Sequence, residues 1–310
     1  MTDFANPTGR CWPGRPTSWG AGARVVAVEG LRPAAGPWRL RIERSGRESE
    51  AVLRLGDPRH RDQLATEAAA LAFAEKHQLA APRLLAVDLD GRAAGRPVLL
   101  TTMLSGSSRI PATASPGRLQ ALGAAAAALH ALAAAPRPGL SLRARPLEDV
   151  DFAAARSATG STPLLDAAEE RVEAMPVPAR PSVFIHGDLW QGNTLWRGEE
   201  LVGMVDWDAA GVGHPGIDLG TLRLDAAVLY GLPAAAEVLD GWQRASGQAA
   251  EAVAYWDAVA ALTSPAAEGE WLRQWVVVLH EHGRADLDAA TLTARRDRFL
   301  RVAVDELDLA

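Results

Sequence analysis

The densest grouping of reactive side chains is His186-Gly187-Asp188-Leu189-Trp190-Gln191-Gly192-Asn193, followed closely by Met204-Val205-Asp206-Trp207-Asp208. Asp188, Asn193 and Asp206 offer hard oxygens, a donor set that suits Mg²⁺ far better than a soft metal. Asp188 and Asn193 stand five residues apart, and Asn193 and Asp206 thirteen. A second arrangement of the same region, with His186, Asp188, Asp206 and His214 as ligands, would suit a metal-dependent phosphoester hydrolase.

These residues need rigid elements beneath them. Val183-Phe184-Ile185 reads as an apolar strand that delivers the polar loop, and Leu201–Val205 as the hairpin strand that delivers Asp206. The hairpin turns at Arg197-Gly198-Glu199-Glu200. Upstream, the pattern is of short strands. Val25–Val28 is followed by Trp38–Arg44, in which Trp38, Leu40 and Ile42 alternate with charged residues at period two. Ala51–Leu55, Leu84–Val87 and Pro97–Met103 complete five strands. Between the third and fourth, Leu64, Glu67, Ala68 and Leu71 share one face of a helix. Glu67 on that apolar stripe requires a cation, and Arg54 of the third strand offers one.

Residues 104–116 are rich in Gly, Ser and Pro and read as a connection. Ser115-Pro116 then caps a helix reaching toward Pro136, with His130 on its apolar face as a packed core histidine. Residues 163–175 and most of 215–309 follow helical patterns, broken at Gly231-Leu232-Pro233, Ser246-Gly247 and Ser264-Pro265. The expectation is an α+β protein of two lobes, residues 1–103 carrying a five-stranded antiparallel sheet and residues 104–310 being mainly helical.

Composition narrows the functions. With 310 residues, 48% apolar and 23% charged, the chain has ample material for a core and no signature of disorder. No run approaches the roughly 18 apolar residues of a membrane span. The N-terminal residues lack a basic segment followed by an apolar one, and Cys11 is the only cysteine, so the reading is a cytoplasmic protein without disulfides. Residues 1–105 carry 15 basic and 11 acidic side chains, whereas residues 106–310 carry 17 and 27. An acidic chain without a basic tract argues against a nucleic-acid partner and for a small-molecule one. The second lobe, with its net of −10, suits a cationic ligand.

The H-x-D-x-x-x-x-N segment with its following Asp resembles the catalytic loop and metal-binding Asp of the protein-kinase fold. The HGD form, with Trp207 after Asp206, is similar to the aminoglycoside phosphotransferase family, over roughly residues 24–280. The likeness extends to Gly213-His214-Pro215-Gly216-Ile217-Asp218-Leu219 and Tyr255-Trp256-Asp257.

The resemblance implies a protein-kinase-like fold and transfer of a phosphoryl group from ATP, with Mg²⁺, to a small hydroxylated and cationic acceptor such as an aminoglycoside. By it, Asp188 would accept the hydroxyl proton, His186 would brace the loop, and Asn193 and Asp206 would hold Mg²⁺. Asp218 would organise the backbone behind the loop. Arg54, where most kinases have a lysine, would pair with Glu67 at the phosphates. Gly36, the lone glycine of Arg32–Pro37, would line the phosphate loop, and Leu100, Thr101, Thr102 and Met103 would take the adenine. Asp208, Asp257, Glu268 and Glu270 would form an acidic acceptor site. A ketosamine or other sugar kinase competes, because the His186–Trp190 run is similar to theirs, and a nucleotide-binding protein without turnover is a further alternative.

Overall fold

The computed structural model describes residues 23–309, apart from 33–35, 93, 149 and 265–269. The chain divides into two units, the first ending at Ser105 and the second beginning at Gly106.

The first unit holds β1 (Arg24–Gly30), β2 (Trp38–Arg44), β3 (Arg47–Leu55), α1 (Arg61–Lys76), β4 (Leu84–Asp88) and β5 (Val98–Thr102). The strands form one sheet in the order β1-β2-β3-β5-β4, antiparallel at every step. Ser45 and Gly46 join β2 to β3 with φ of 51° and 74°. Two such residues make the tight turn whose twist matches that of the flanking strands. The alternation read in β2 places Leu40 and Ile42 in an apolar layer with Ala51, Leu53, Val98 and Leu100. Helix α1 packs against β4 and β5 and buries Leu64, Glu67, Ala70 and Leu71.

The second unit holds α2 (Pro116–His130), β6 (Leu142–Arg143), α3 (Phe152–Thr159), α4 (Pro163–Glu173), β7 (Val183–Ile185), β8 (Thr194–Arg197), β9 (Glu200–Met204) and β10 (Gly211–Gly213). Helices α5 (Gly216–Tyr230), α6 (Leu232–Ser246), α7 (Val253–Leu262), α8 (Glu270–Glu281) and α9 (Ala289–Leu309) complete it. Ser115 and Thr162 cap α2 and α4, each accepting a bond from the third helical N–H ahead of a first-turn proline. Helices α5, α7 and α9 share the main core, in which Val228, Trp256, Ala260, Leu292 and Leu300 are buried. Helices α2 and α6 meet through glycines: a Cβ on Gly123 would lie 2.0 Å from Val238 O, and one on Gly241 2.2 Å from Gln120 O.

Two features were not anticipated from sequence. One is α3; the other is a small sheet ordered β6-β10-β7, whose strands of two and three residues are too short to show a period. That sheet matters because β7 leads directly into His186. Among the described residues, no helix is long and apolar enough to cross a membrane.

Candidate active site

In the second unit, β7 runs out into His186-Gly187-Asp188, and the loop is held from behind by a buried carboxylate. Asp218, in the first turn of α5, accepts hydrogen bonds from His186 N and Gly187 N, both at 2.8 Å. The same carboxylate lies 3.2 Å from His130 Nε2. Trp242 Nε1–H donates to His130 Nδ1 at 2.9 Å, so the proton of the neutral ring sits on Nε2 and faces Asp218. Although burial alone would push the Asp218 carboxyl up, the hydrogen bonds from the His130 ring and the His186 backbone help hold the group below its ordinary value. Gly187 has φ of 81°, and a Cβ there would stand 2.1 Å from Ala209 O. The turn therefore admits only glycine.

His186 is fully buried, and burial lowers its pKa, so the ring is neutral. Its Nε2 lies 3.0 Å from Val205 O, and the ring sits 4.4 Å from that of Trp207. Trp207 is itself fixed by Nε1–H donating to Met204 O at 3.0 Å and by stacking on Phe184. Together these contacts tie the loop to the segment that carries Asp206. Asp206 adopts φ of 68°, a left-handed conformation that Asp tolerates better than most residues.

Asn193 folds back on Asp188. Its Nδ2 donates to Asp188 O at 2.9 Å and to Asp188 Oδ2 at 3.1 Å. Both bonds use the amide nitrogen, so the amide oxygen is directed elsewhere, as a hard-cation ligand requires. Asp188 is half-buried, and its carboxyl is pushed up to about 7, first by desolvation and then by Asp206 and Asp208, against the opposing bond from Asn193. Negative charge gathered beside Asp188 in this way suits a divalent cation. Asn193 and Asp206 carry oxygen donors of the kind a hard divalent cation takes.

The hydrolase arrangement does not assemble. His214 Nδ1 accepts from Gly216 N at 2.9 Å and its ring stacks on Trp256, while His186 turns to Val205 O. No group of three or more His, Cys, Asp or Glu among the described residues is placed to hold a metal.

In the first unit, Arg54 Nη1 of β3 lies 2.8 Å from Glu67 Oε2 of α1, with the Glu67 side chain nearly buried. In the register, Arg54 pairs with Leu99 and Leu53 with Leu100. Leu100 therefore points to the apolar layer on the face opposite Arg54, and its strand is paired on both edges there, with Leu53 of β3 and Ala86 of β4. Thr101 is buried; Thr102 Oγ1 accepts from Arg83 N at 2.9 Å, and Met103 follows the strand end. Gly36 has φ of 88°, and a Cβ would run into the Trp38 ring.

The acidic acceptor site expected from sequence is not assembled as drawn. Asp257 sits on α7, buried, with its carboxylate bonded to Arg223 Nε at 2.9 Å and Nη2 at 2.8 Å. A paired, buried carboxylate has no charge to offer a cationic ligand, so Asp257 is a structural ion pair. Glu268 lies outside the described residues; Glu270 opens α8, and its side chain is likewise outside them. Asp208 stands two residues beyond Asp206 and acts on Asp188 through its charge.

Sequence reasoning missed Gln191 and Asp225. Gln191 N and Nε2 donate to Asp225 Oδ2 at 3.2 and 3.0 Å. The available signal was an Asp seven residues after Asp218 on a helix otherwise apolar over Ala226–Leu229.

In the second unit Asp188 and Asn193 are bonded on one loop, and in the first a strand arginine is paired with a helix glutamate, as the sequence resemblance anticipates. A sequence model of the phosphotransferase enzyme family (APH) matches residues 17–262, and the chain belongs to that family. It is a small-molecule phosphotransferase. No curated protein matches the chain in sequence. Among solved structures, the macrolide 2'-phosphotransferase of Brachybacterium faecium is similar at 20% identity, with 88% of this chain and 92% of that one covered and a TM-score of 0.56. An amicoumacin kinase in complex with AMP-PNP, Ca²⁺ and Ami is 15% identical, covering 90% and 88%, with a TM-score of 0.57. An aminoglycoside-3'-phosphotransferase of type VIII is 23% identical, covering 77% and 93%, with a TM-score of 0.51. These likenesses show the fold.

Proposed function

We propose that this protein transfers the γ-phosphoryl group of ATP, with Mg²⁺, to a hydroxyl of a small polar acceptor of the aminoglycoside or related antibiotic class. The observation that carries the reading is the Asn193 side chain bonded to both the backbone and the carboxylate of Asp188, on a loop fixed by Asp218.

In this reading Asp188 Oδ accepts the acceptor's hydroxyl proton as that oxygen bonds to the γ-phosphorus and the bond to the β-phosphate oxygen breaks. The desolvation that raises the proton affinity of Asp188 suits a general base. Asn193 keeps the carboxylate aimed, and His186 and Asp218 keep the loop from drifting. Asn193 and Asp206 would hold Mg²⁺, which supplies charge neutralisation at the phosphate oxygens. Arg54, steadied by Glu67, presents a planar fork of donors that matches phosphate oxygens. A ketosamine or other sugar acceptor is the second reading, favoured by Trp190 directly after Asp188-Leu189.

The test is ATP consumption and product mass across aminoglycosides, macrolides, other antibiotics, amino-sugars and ketosamines. A phosphorylated product formed only with Mg²⁺ and ATP supports the reading, and its identity chooses between the two acceptor classes. Metal-dependent release of phosphate from phosphoesters, without transfer, would overturn it.

A further inference from the structure

Between the proposed base and the proposed metal ligand, the loop carries Gln191, which is completely buried. Its backbone N–H and its side-chain Nε2 converge on one oxygen of Asp225, at 3.2 and 3.0 Å. Its Oε1 lies 3.2 Å from the Tyr230 hydroxyl, which also stands 3.1 Å from Pro111 O. Every polar group of Gln191 is thus committed, because its carbonyl oxygen accepts from Thr194 Oγ1 at 2.7 Å.

Asp225 and Tyr230 both belong to α5, the helix whose first turn carries Asp218. One rigid helix therefore grips the loop on both sides of Asp188: Asp218 takes the two preceding amides, and Asp225 takes the residue three positions later. The grip has an energetic cost. Asp225 is buried, its direct bonds come from an amide N–H and an amide side chain, and Arg284 only tempers its charge. Arg284 is itself bonded to Asp286 and to Leu229 O. A carboxylate in such surroundings carries a desolvation cost, which an apolar pair in place of Asp225 and Gln191 together would largely avoid.

We propose that Asp225 is a positioning residue: by fixing Gln191 it sets the backbone between Asp188 and Asn193, and with it the aim of the Asp188 carboxylate. This rests on the phosphotransfer reading above. A displacement of about 1 Å at a reacting group costs on the order of a hundredfold in rate, so the effect belongs in kcat rather than in nucleotide affinity.

The experiment compares the full chain with Asp225→Leu, Asp225→Asn, Gln191→Leu and the Asp225→Leu/Gln191→Leu double variant. Readouts are kcat and KM for the best acceptor, Mg·ATP affinity by titration, and thermal midpoint. Asp225→Leu keeps the shape and removes the acceptor; kcat should fall about 10- to 100-fold with Mg·ATP affinity within about twofold. Asp225→Asn keeps one oxygen that can accept both Gln191 donors and should restore most of kcat. The double variant removes the orphaned side-chain donor but not the backbone N–H of residue 191, so its midpoint should recover in part while kcat stays low. A merely structural Asp225 would restore both together, and that outcome overturns the proposal. So does a kcat within about twofold of wild type in Asp225→Leu. Should Asp225→Leu not fold, Gln191→Leu decides, with about a tenfold loss of kcat expected and an unchanged kcat contradicting the proposal. Failure of phosphotransfer itself is seen separately: the wild-type chain would then form no phosphorylated product, whatever the variants do.

Discussion

Asp225→Asn also has a consequence for stability that can be worked from its surroundings. Burial pushes the Asp225 carboxyl up from its ordinary 3.8 to about 6, and the two bonds from Gln191 and the distant charge of Arg284 only partly oppose this. The folded chain therefore holds this proton more tightly than the unfolded chain. Its contribution to stability is complete below about pH 3.8 and is lost as pH rises through about 6. A shift of about two pKa units corresponds to a total loss of about 3 kcal/mol, of which about 2 kcal/mol falls between about pH 4.5 and about pH 7.5. Asn at this position does not titrate. Urea unfolding of wild type and Asp225→Asn at those two pH values isolates the effect, because every other group titrates in both proteins. The stability of Asp225→Asn relative to wild type should rise by about 2 kcal/mol from the acidic to the neutral condition. A relative stability that changes by less than about 0.5 kcal/mol would show that Asp225 ionises as freely as an exposed aspartate, and the cost argued for its burial would be withdrawn.

Three further outcomes follow from the same geometry. Arg54→Ala should weaken Mg·ATP by about tenfold or more, Arg54→Lys by less, and Glu67→Ala should resemble a milder Arg54→Ala; a double-mutant cycle on affinity should return a coupling of about 0.5–3 kcal/mol, and no coupling would separate the two roles. Gly187→Ala should lower the thermal midpoint and kcat together, since the added methyl meets Ala209 O in a left-handed turn; a variant with wild-type midpoint and rate would refute the need for glycine there. Asp206→Ala should abolish the Mg²⁺ dependence of nucleotide binding, and titration that recovers wild-type Mg·ATP affinity would remove Asp206 from the metal site.

The fold was legible where its elements are long and periodic. The alternation of Leu40 and Ile42 with charged neighbours and the stripe of α1 each have only one burial that satisfies them. The Arg54–Glu67 contact was legible for a related reason, because a carboxylate on an apolar stripe needs a cation and the adjoining strand carries one. The loop from His186 to Asn193 was marked by dense polar residues directly after an apolar strand. What could not be read are contacts made between elements far apart in sequence. Asp225 reaches Gln191 across 34 residues, and Asp257 reaches Arg223 across the same separation. In both cases helix packing decides which side chain faces which partner, and regional net charge carries no trace of it. Counting Asp257 toward an acidic acceptor site failed for that reason. Strands β6 and β10 are likewise defined by pairing, with two or three residues each and no pattern of their own.

The central claim is that Asp188 takes the proton from the acceptor hydroxyl during transfer from ATP. Asp188→Asn preserves the shape of the side chain and removes its basicity, so turnover with the best acceptor, measured beside Mg·ATP affinity, tests the claim directly. The account predicts affinity within about threefold of wild type and a kcat lower by roughly two to four orders of magnitude. A variant that keeps more than about a tenth of wild-type kcat, with chemistry rate-limiting, would contradict it.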